Sequence, residues 1–351
     1  MSSEFVLYGA TGYVGADIAR QAVERGLRPV LAGRDALRLE KLADELGLEC
    51  RVFDLHDPQK IEQVLKDATV VLHCAGPFIN TFKPMVEACL NTRTHYLDLT
   101  GEFPVYQAIA NLGAEARLRG VMLLPGVGFD VVPTDCLAVH LKQRLPAATS
   151  LTLAFKVQGP AGLPPGTQRT VIEMIPFGDR VRRDGRLEPP AEGAKTRLID
   201  FGQGPELATR LTWGDVFTAY YSTGIPNIED YLVMSKSLRQ QMAFFDNFRS
   251  IFNMPILRNI LKRAVSPGAS VEKLSRTTTH VWGEVEDGQG HRAVSRLHGP
   301  EPGVVWTARA ALAAVEKVLA GGFKPGFQTP GLMYGPEFVL ECEGVTREDI
   351  E

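Results

Sequence analysis

Residues 5–15 read FVLYGATGYVG, and this stretch decides the fold of the first part of the chain. Phe5 to Tyr8 is predicted to be a short buried strand, and the apolar residues that follow Gly12 recur at helical spacing. Between these elements, Gly9 permits a tight turn, Gly12 allows a phosphate to approach the backbone, and Gly15 allows the helix to pack closely on the strand. A glycine triplet placed between a first strand and a helix predicts a dinucleotide-binding loop.

Short apolar runs alternate with helical patterns through the first third of the sequence. Strands are predicted at 5–8, 30–32, 50–53, 69–74, 96–99 and 121–124, with helices between them that include 37–46, 83–90 and 105–119. Strands that alternate with helices form right-handed crossovers and a parallel sheet. The fold class is therefore α/β, with a Rossmann domain containing a doubly wound parallel sheet over residues 1–130.

A second domain, α+β with a mainly antiparallel sheet, is predicted over residues 131–351. Residues 277–285 and 292–298 are expected to be strands of one hairpin, because Asp287-Gly288 between them is a turn signal. An amphipathic helix is expected at about 306–320, packed back on the Rossmann domain.

Composition narrows the functional classes. The formal net charge of -3 gives no sign of a nucleic-acid partner. The five cysteines and seven histidines are scattered and never show metal-ligand spacing, so no metal is expected. No run approaches the roughly 20 apolar residues of a membrane helix, and the first residues lack the pattern of a secretory leader. We therefore expect a cytoplasmic protein.

The second strand ends in Ala32-Gly33-Arg34. These residues indicate whether the chain binds NAD or NADP. NAD enzymes usually place an acidic residue here to bind the ribose hydroxyls, whereas Gly33 leaves room and Arg34 can pair with a 2′-phosphate. NADP(H) is therefore the expected cofactor. Asp54, after the third strand, either accepts a hydrogen bond from the adenine amino group or caps the helix before Pro58.

Loops at the carboxyl ends of the later strands should surround the nicotinamide, because ligands of parallel sheets bind at that edge. The complete set of expected cofactor-binding residues is Gly9, Ala10, Thr11, Gly12, Tyr13, Val14, Gly33, Arg34, Asp54, Cys74, Ala75, Gly76, Pro77, Gly101, Gly128 and Phe129.

The motifs GATGYVG, AGRD, HCAGPF, HYLDLTGE and PGVGFDVVPTD follow one another in an order that resembles the saccharopine dehydrogenase-like reductases. The closer similarity is to their single-chain branch, the trans-acting enoyl reductases, and further short motifs extend it over nearly the whole chain. The resemblance implies a Rossmann domain joined to an α+β domain, NADPH as the reductant, and reduction of an enoyl or similarly polarised double bond. The aromatic–x–x–Thr sequence expected before the last long helix is replaced here by Val305-Trp306-Thr307.

Candidate catalytic residues are Asp130 and Glu102, which fall on loops near the expected nicotinamide position. Each has an alternative interpretation as a helix cap or an ion-pair partner. Phe78 is a candidate substrate contact. Thr167 is another, as the N-cap of a helix running to Ile175 whose amides could hold a carbonyl or phosphate, or as a plain cap.

Residues 238–261 are unusually apolar, with four phenylalanines within nine residues at 244–252. Phe244 and Phe248 share one helical face. The stretch is interpreted as core of the second domain, as the wall of an acyl-substrate pocket, or as a homodimer face or a weak membrane-surface contact. The acyl-pocket interpretation makes Phe244 and Phe248 substrate residues.

Three functions remain open on the sequence. The first is NADPH-dependent reduction of a polarised C=C bond in a lipid- or polyketide-like substrate. The second is a saccharopine-type amino-acid dehydrogenase acting on C=N, for which Arg169, Arg180, Arg182 and Arg183 could bind carboxylates. The third is a dinucleotide-binding scaffold or redox sensor without turnover.

Overall fold

The computed structural model describes residues 5–191 and 195–350, except for the side chains of Ala243, Phe245, Asp246, Asn247, Arg249 and Ser250. The strands of this part of the chain are β1 (Phe5–Tyr8), β2 (Val30–Gly33), β3 (Cys50–Val52), β4 (Val70–His73), β5 (His95–Asp98), β6 (Met122–Leu124), β7 (Ser150–Gln158), β8 (Val181–Arg183), β9 (Arg186–Glu188), β10 (Thr196–Asp200), β11 (Pro205–Leu211), β12 (Asn227–Val233), β13 (Thr278–Glu286), β14 (Arg292–Gly299), β15 (Gly326–Phe327) and β16 (Thr346–Asp349). The α-helices are α1 (Tyr13–Glu24), α2 (Ala36–Leu46), α3 (Pro58–Leu65), α4 (Phe82–Thr92), α5 (Phe103–Asn111), α6 (Gly113–Arg119), α7 (Val132–Arg144), α8 (Pro165–Met174), α9 (Asp215–Thr223), α10 (Lys236–Asn247), α11 (Pro255–Arg263), α12 (Val271–Ser275), α13 (Thr307–Leu319) and α14 (Pro330–Tyr334).

The chain forms two compact units. The first runs up to Asp130 and includes Gly303–Thr329; the second comprises Val131–Pro302 and Pro330–Glu351. The helix expected at about 306–320 is α13, and it lies in the first unit against α1 and β4. Arg25 and Glu316 form an ion pair at 3.3 Å between α1 and α13.

The sheet of the first unit is parallel, in the order β15-β6-β5-β4-β1-β2-β3. Every residue of β1, β2, β4 and β5 is buried, as expected when helices cover both faces of a sheet. The strand order reverses between β1 and β4, and such a reversal opens a crevice for ligands at the carboxyl ends of the two strands. The predicted Rossmann fold is confirmed.

Close backbone packing defines the turn after β1. Gly9 has φ +85°, and a Cβ there would lie 2.9 Å from the backbone nitrogen of Ala75 in the loop after β4. A Cβ on Gly15 would lie 2.3 Å from the carbonyl oxygen of Gly9. These two distances exclude any side chain larger than hydrogen without a backbone shift, so the first turn, the start of α1 and the β4 loop form one packed group.

The sheet of the second unit has the order β10-β11-β12-β7-β13-β14-β16, and a β8–β9 hairpin pairs with β12. Only the β12–β7 pair is parallel within this part of the described chain. The mainly antiparallel sheet and the hairpin around Asp287-Gly288 are therefore confirmed. Helix α7 covers this sheet, and a Cβ on Gly283 of β13 would meet Leu141 of α7 at 2.6 Å.

One predicted helix proved to be two. The sequence predicted a continuous helix over 105–119, but the structure has α5 and α6 with a break at Leu112. Gly113 begins the second helix, where a Cβ would lie 3.1 Å from the Cβ of Phe327 in β15. The close approach of this edge strand accounts for glycine at the break, which periodicity could not reveal.

No helix within the described residues is both long enough and apolar enough to cross a membrane.

We predict that Gly15→Ala destabilises the protein, because its methyl group would be forced against the Gly9 carbonyl. Overpacking of this kind costs typically about 1–3 kcal/mol in the free energy of unfolding, measurable by denaturant titration. The matched control is Gly162→Ala, where a Cβ meets nothing within 4 Å. Equal stabilities of the two variants would contradict the packing described here.

Candidate functional site

The glycine loop leaves backbone N–H groups available at the start of α1. Gly12 is the N-cap residue of α1 and has no side chain to occupy these amides. A Cβ on Gly12 would contact only the Gly9 carbonyl, at 3.1 Å. The uncapped helix N-terminus, with its positive dipole end, is a favourable site for the pyrophosphate of a dinucleotide. The loop therefore fits the predicted role of Gly9, Ala10, Thr11, Gly12, Tyr13 and Val14.

Arg34 follows β2 and is exposed, and the described residues give it no hydrogen bond or ion pair. The Arg34 guanidinium and the Asp54 carboxylate both lie near enough to Tyr8 to affect the ionisation of its hydroxyl. Burial raises the pKa of Tyr8 to about 12, the Asp54 carboxylate adds to the shift, and the Arg34 guanidinium opposes it. An exposed guanidinium beside the crevice at the β1 terminus fits the 2′-phosphate of NADP.

Two further residues belong to the region where the adenosine of the cofactor is expected. Arg38, in the first turn of α2, donates from Nη2 to the carbonyl oxygen of Thr11 at 2.8 Å and so supports the glycine loop. Asp54 accepts a hydrogen bond from the His56 amide at 2.9 Å. The helix before which Asp54 was considered as a cap is instead capped by Asp57, which accepts from the Lys60 amide. The cap interpretation of Asp54 is therefore wrong, and the adenine interpretation stays a prediction.

The loop after β4 is held in place by a buried carboxylate. The Glu102 side chain accepts from the backbone amides of Phe78 and Ile79 at 2.8 and 2.7 Å. Glu102 is fully buried, and these bonds account for one N–H on each of its two oxygens. This geometry fits a positioning role for Glu102 better than a proton-transfer role. The ring of Phe78 is buried against His73, with centroids 5.4 Å apart, and belongs to the core of the first unit.

Asp98, at the end of β5, joins two further loops. Its Oδ1 accepts from the amides of Thr100 and Gly126, each at 2.9 Å, and its Oδ2 accepts from the Tyr96 hydroxyl at 2.7 Å. Burial raises the pKa of Asp98 to about 6, although all three hydrogen bonds favour the ionised form. The Tyr96 hydroxyl is thus a structural donor.

The last of these loops follows β6 and contains Gly128, Phe129 and Asp130. The Phe129 amide donates to the Thr307 hydroxyl at 3.2 Å, and its ring lies 5.4 Å from Trp306. A Cβ on Gly101 would lie 2.9 Å from Oδ2 of Asp130, so this carboxyl group rests against the Gly101 backbone. Asp130 is half-buried as a residue, and the burial of its carboxyl group raises its pKa to about 7.

Neither carboxylate caps a helix through its side chain. Helix α7 has Val131 at its N-cap, one residue beyond Asp130, and α5 has no side-chain cap bond from Glu102. Asp130 is thus a carboxylic acid with a pKa near 7. It lies at the end of the loop that follows β6, against the loop that follows β5. Such a pKa is the property required of a general acid.

Sequence reasoning missed several residues that hold the site. Arg38 and Thr307 were not among the candidates, because their importance depends on contacts between segments distant in sequence. The only local signal was Arg38, which follows Arg34 by one helical turn within AGRDALR.

Two predicted substrate positions differ from expectation. Helix α8 begins at Pro165 with Pro164 as N-cap, so Thr167 lies inside the first turn and is not the cap. Proline at the first helical position starts the helix three residues earlier than the Thr signal suggested. Phe244, on α10, and Phe248, one residue beyond its end, are exposed, with ring centroids 4.7 Å apart, so the core interpretation is wrong for both. Phe245, in the same run, lies outside the described side chains.

Residues 5–124 match the family model described as saccharopine dehydrogenase NADP binding domain. The chain is also similar to a trans-acting enoyl reductase of Mycobacterium ulcerans, with 34% identity over 149 residues, which cover 40% of this chain and 36% of that protein. A saccharopine dehydrogenase-like oxidoreductase of Homo sapiens is 27% identical over 223 residues, 55% of this chain and 51% of that protein. The matched regions thus span between about a third and a half of these relatives.

The fold extends this similarity to the whole chain. A saccharopine dehydrogenase (L-Glu forming) from Saccharomyces cerevisiae aligns with a TM-score of 0.66 over 99% of each chain, at 14% sequence identity. At that identity the match shows that the two proteins share a fold.

We predict that NADPH binds at least tenfold more tightly than NADH, and that Arg34→Ala removes most of the preference. A charge-assisted hydrogen bond contributes about 1.5–3 kcal/mol, equivalent to roughly 10- to 150-fold in affinity. Titration calorimetry measures both affinities. The control Arg20→Ala removes another exposed arginine of this unit, paired with Glu45 at 3.0 Å, and should change neither affinity. Arg38→Ala should weaken both dinucleotides alike, since it supports the loop. Equal wild-type affinities would contradict the assignment.

We further predict that Gly12→Val abolishes dinucleotide binding in a folded protein, because the side chain would fill the space that the pyrophosphate needs. Circular dichroism establishes folding, and fluorescence titration with NADPH measures binding. A folded variant that still binds NADPH would show that the phosphates lie elsewhere.

Proposed function

Because residues 5–124 are a saccharopine dehydrogenase NADP-binding domain, we propose that the whole chain is an NADPH-dependent reductase of a polarised C=C bond, such as that of an enoyl thioester or enone. NADPH bound at this site supplies a hydride to the electrophilic carbon of such a bond. The protein has to orient the cofactor, position the substrate, and provide a proton to the neighbouring carbon.

Asp130 carries the proposal. Its carboxyl group rests against Gly101 at the end of the loops expected around the nicotinamide, and its pKa of about 7 keeps a substantial fraction protonated at neutral pH. A protonated carboxylic acid can donate to the carbon that becomes negative when hydride arrives at its neighbour. The carboxylate that remains recovers a proton from solvent before the next turnover.

Glu102 and Asp98 are proposed to act as positioning residues. Glu102 fixes the amides of Phe78 and Ile79, and Asp98 fixes those of Thr100 and Gly126. These bonds set the backbone path of three loops at one edge of the sheet. A displacement of such loops by about 1 Å can cost on the order of 100-fold in rate, because hydride transfer depends on the separation of the reacting atoms.

Two of the four arginines considered for an amino-acid dehydrogenase have structural contacts, which favours C=C over C=N. Arg182 is buried, donates to the carbonyls of Val216 and Gly185 at 2.7 Å, and lies 4.2 Å from the ring centroid of Tyr220. Arg183 pairs with Glu229, which Lys195 also contacts. Both guanidinium groups therefore have structural partners, which leaves less positive charge for substrate carboxylates. The similarity to a trans-acting enoyl reductase supports the same choice.

We predict that enoyl thioesters are reduced with consumption of NADPH, and that kcat/KM rises with acyl chain length. Burial of apolar area is the main binding energy available to such a chain, at about 0.8 kcal/mol per CH₂. The assay follows NADPH absorbance over a series of substrates. A flat or falling series together with turnover of small charged imines would support the amino-acid dehydrogenase instead, and an absence of turnover with every substrate would support a scaffold or sensor.

Asp130→Asn should lower kcat by about 100- to 10,000-fold, the usual contribution of general acid catalysis, while NADPH affinity stays unchanged. In the wild type, protonated Asp130 is the active form, so kcat should be constant at low pH and fall as pH rises through about 7. The matched variant Glu102→Gln should lower kcat by displacing the Phe78 loop, yet keep the same dependence on pH. A wild-type profile that is flat between pH 5 and 9 would contradict the role of Asp130.

A further inference from the structure

Residues 236–263 form a segment with both exposed apolar side chains and an excess of positive charge, which we call the basic segment. It comprises α10, a short turn and α11, and it lies within the second unit. No step of the proposed reaction uses it.

Large apolar side chains are exposed along its whole length. Ile256 is 70% exposed, and the others are between 40% and 56% exposed: Leu238, Phe244, Phe248, Ile251, Met254 and Ile260. Ile256 and Ile260 are four residues apart in α11 and so share a helical face, and the rings of Phe244 and Phe248 contact each other with centroids 4.7 Å apart. Single exposed apolar residues are ordinary, but a continuous series marks an interaction surface.

The segment also carries a strong excess of positive charge. It contains six Lys or Arg residues and one Asp, a formal charge of +5 in a chain whose net charge is -3. Lys236 and Arg263 are exposed. A helix with a basic polar face and Phe, Leu or Ile on the other lies in the interface of anionic membranes.

Contacts with α8 fix the segment on the protein while leaving these side chains outward. Glu173 of α8 is buried and pairs with Arg258 at 3.0 Å and with Lys262. Arg258 also donates to the carbonyl of Phe252, which is buried. The ion pairs compensate part of the positive charge of α11. The positive charge that remains is on the same segment as the exposed apolar side chains.

The positive charge of the basic segment indicates what kind of partner binds this surface. A symmetric dimer would place the segment against its own copy, and an excess of positive charge on both sides would oppose association. Anionic lipid headgroups attract each basic residue near the bilayer surface with about 1 kcal/mol, and the acyl region accepts the apolar side chains. We infer that the basic segment docks the protein on the surface of an anionic lipid bilayer.

Vesicle co-sedimentation of the full chain tests this. The protein should bind vesicles of phosphatidylcholine and phosphatidylglycerol in equal parts, bind phosphatidylcholine vesicles at least tenfold more weakly, and be released by salt, which screens the attraction. Ile256→Ser/Ile260→Ser and Lys236→Glu/Arg263→Glu should each lower binding to the mixed vesicles at least tenfold. The matched control Leu118→Ser/Leu198→Ser, at exposed leucines elsewhere, should leave it unchanged.

Circular dichroism of each variant checks that the fold is retained, and NADPH binding should stay the same in all of them. Failure of the wild type to bind mixed vesicles would overturn the inference. So would binding that the two segment variants leave unaltered. A concentration-dependent dimer in analytical ultracentrifugation that Ile256→Ser/Ile260→Ser abolishes would assign the surface to a second copy instead.

Discussion

Three backbone segments pack closely around Gly9, and the structure of the first unit depends on this packing. The turn after β1, the first turn of α1 and the loop after β4 come so close that Gly9 and Gly15 have no space for a Cβ. Backbone hydrogen bonds continue this packing, since Gly9 N–H donates to Ala32 O and Cys74 N–H donates to Tyr8 O, both at 2.8 Å. The uncapped amides of α1 are thereby held beside the crevice between β1 and β4, where a pyrophosphate can reach them.

Two buried carboxylates hold the loops on the side of the sheet edge where the nicotinamide is expected. Asp98 and Glu102 together accept four backbone N–H groups from three loops. Loops fixed by charge-assisted hydrogen bonds lose little entropy when ligands bind, which is a condition for accurate placement of reacting atoms. Asp130, on the last of these loops, rests against Gly101, and burial raises its pKa to about 7.

Much of the fold could be predicted from the sequence, because its signals are local. The buried strands and the turn at Asp287-Gly288 depend on neighbouring residues, and both were confirmed. The features that were missed depend on contacts distant in sequence. The break between α5 and α6 reflects the approach of β15, and the role of Glu102 is visible only once the Phe78 loop lies beside it. The sequence left open whether Phe244 and Phe248 belong to the core, to a pocket wall or to an exposed surface, because helical periodicity defines a face but not what covers it.

A crystal structure of the protein with NADP⁺ tests the account most directly, because one map locates all parts of the cofactor against the residues named here. The account predicts the pyrophosphate at the N-terminus of α1, the 2′-phosphate within hydrogen-bond distance of Arg34, and the nicotinamide beside Gly101 and Asp130. A dinucleotide with its 2′-phosphate directed away from Arg34, or with its nicotinamide remote from Asp130, would contradict it.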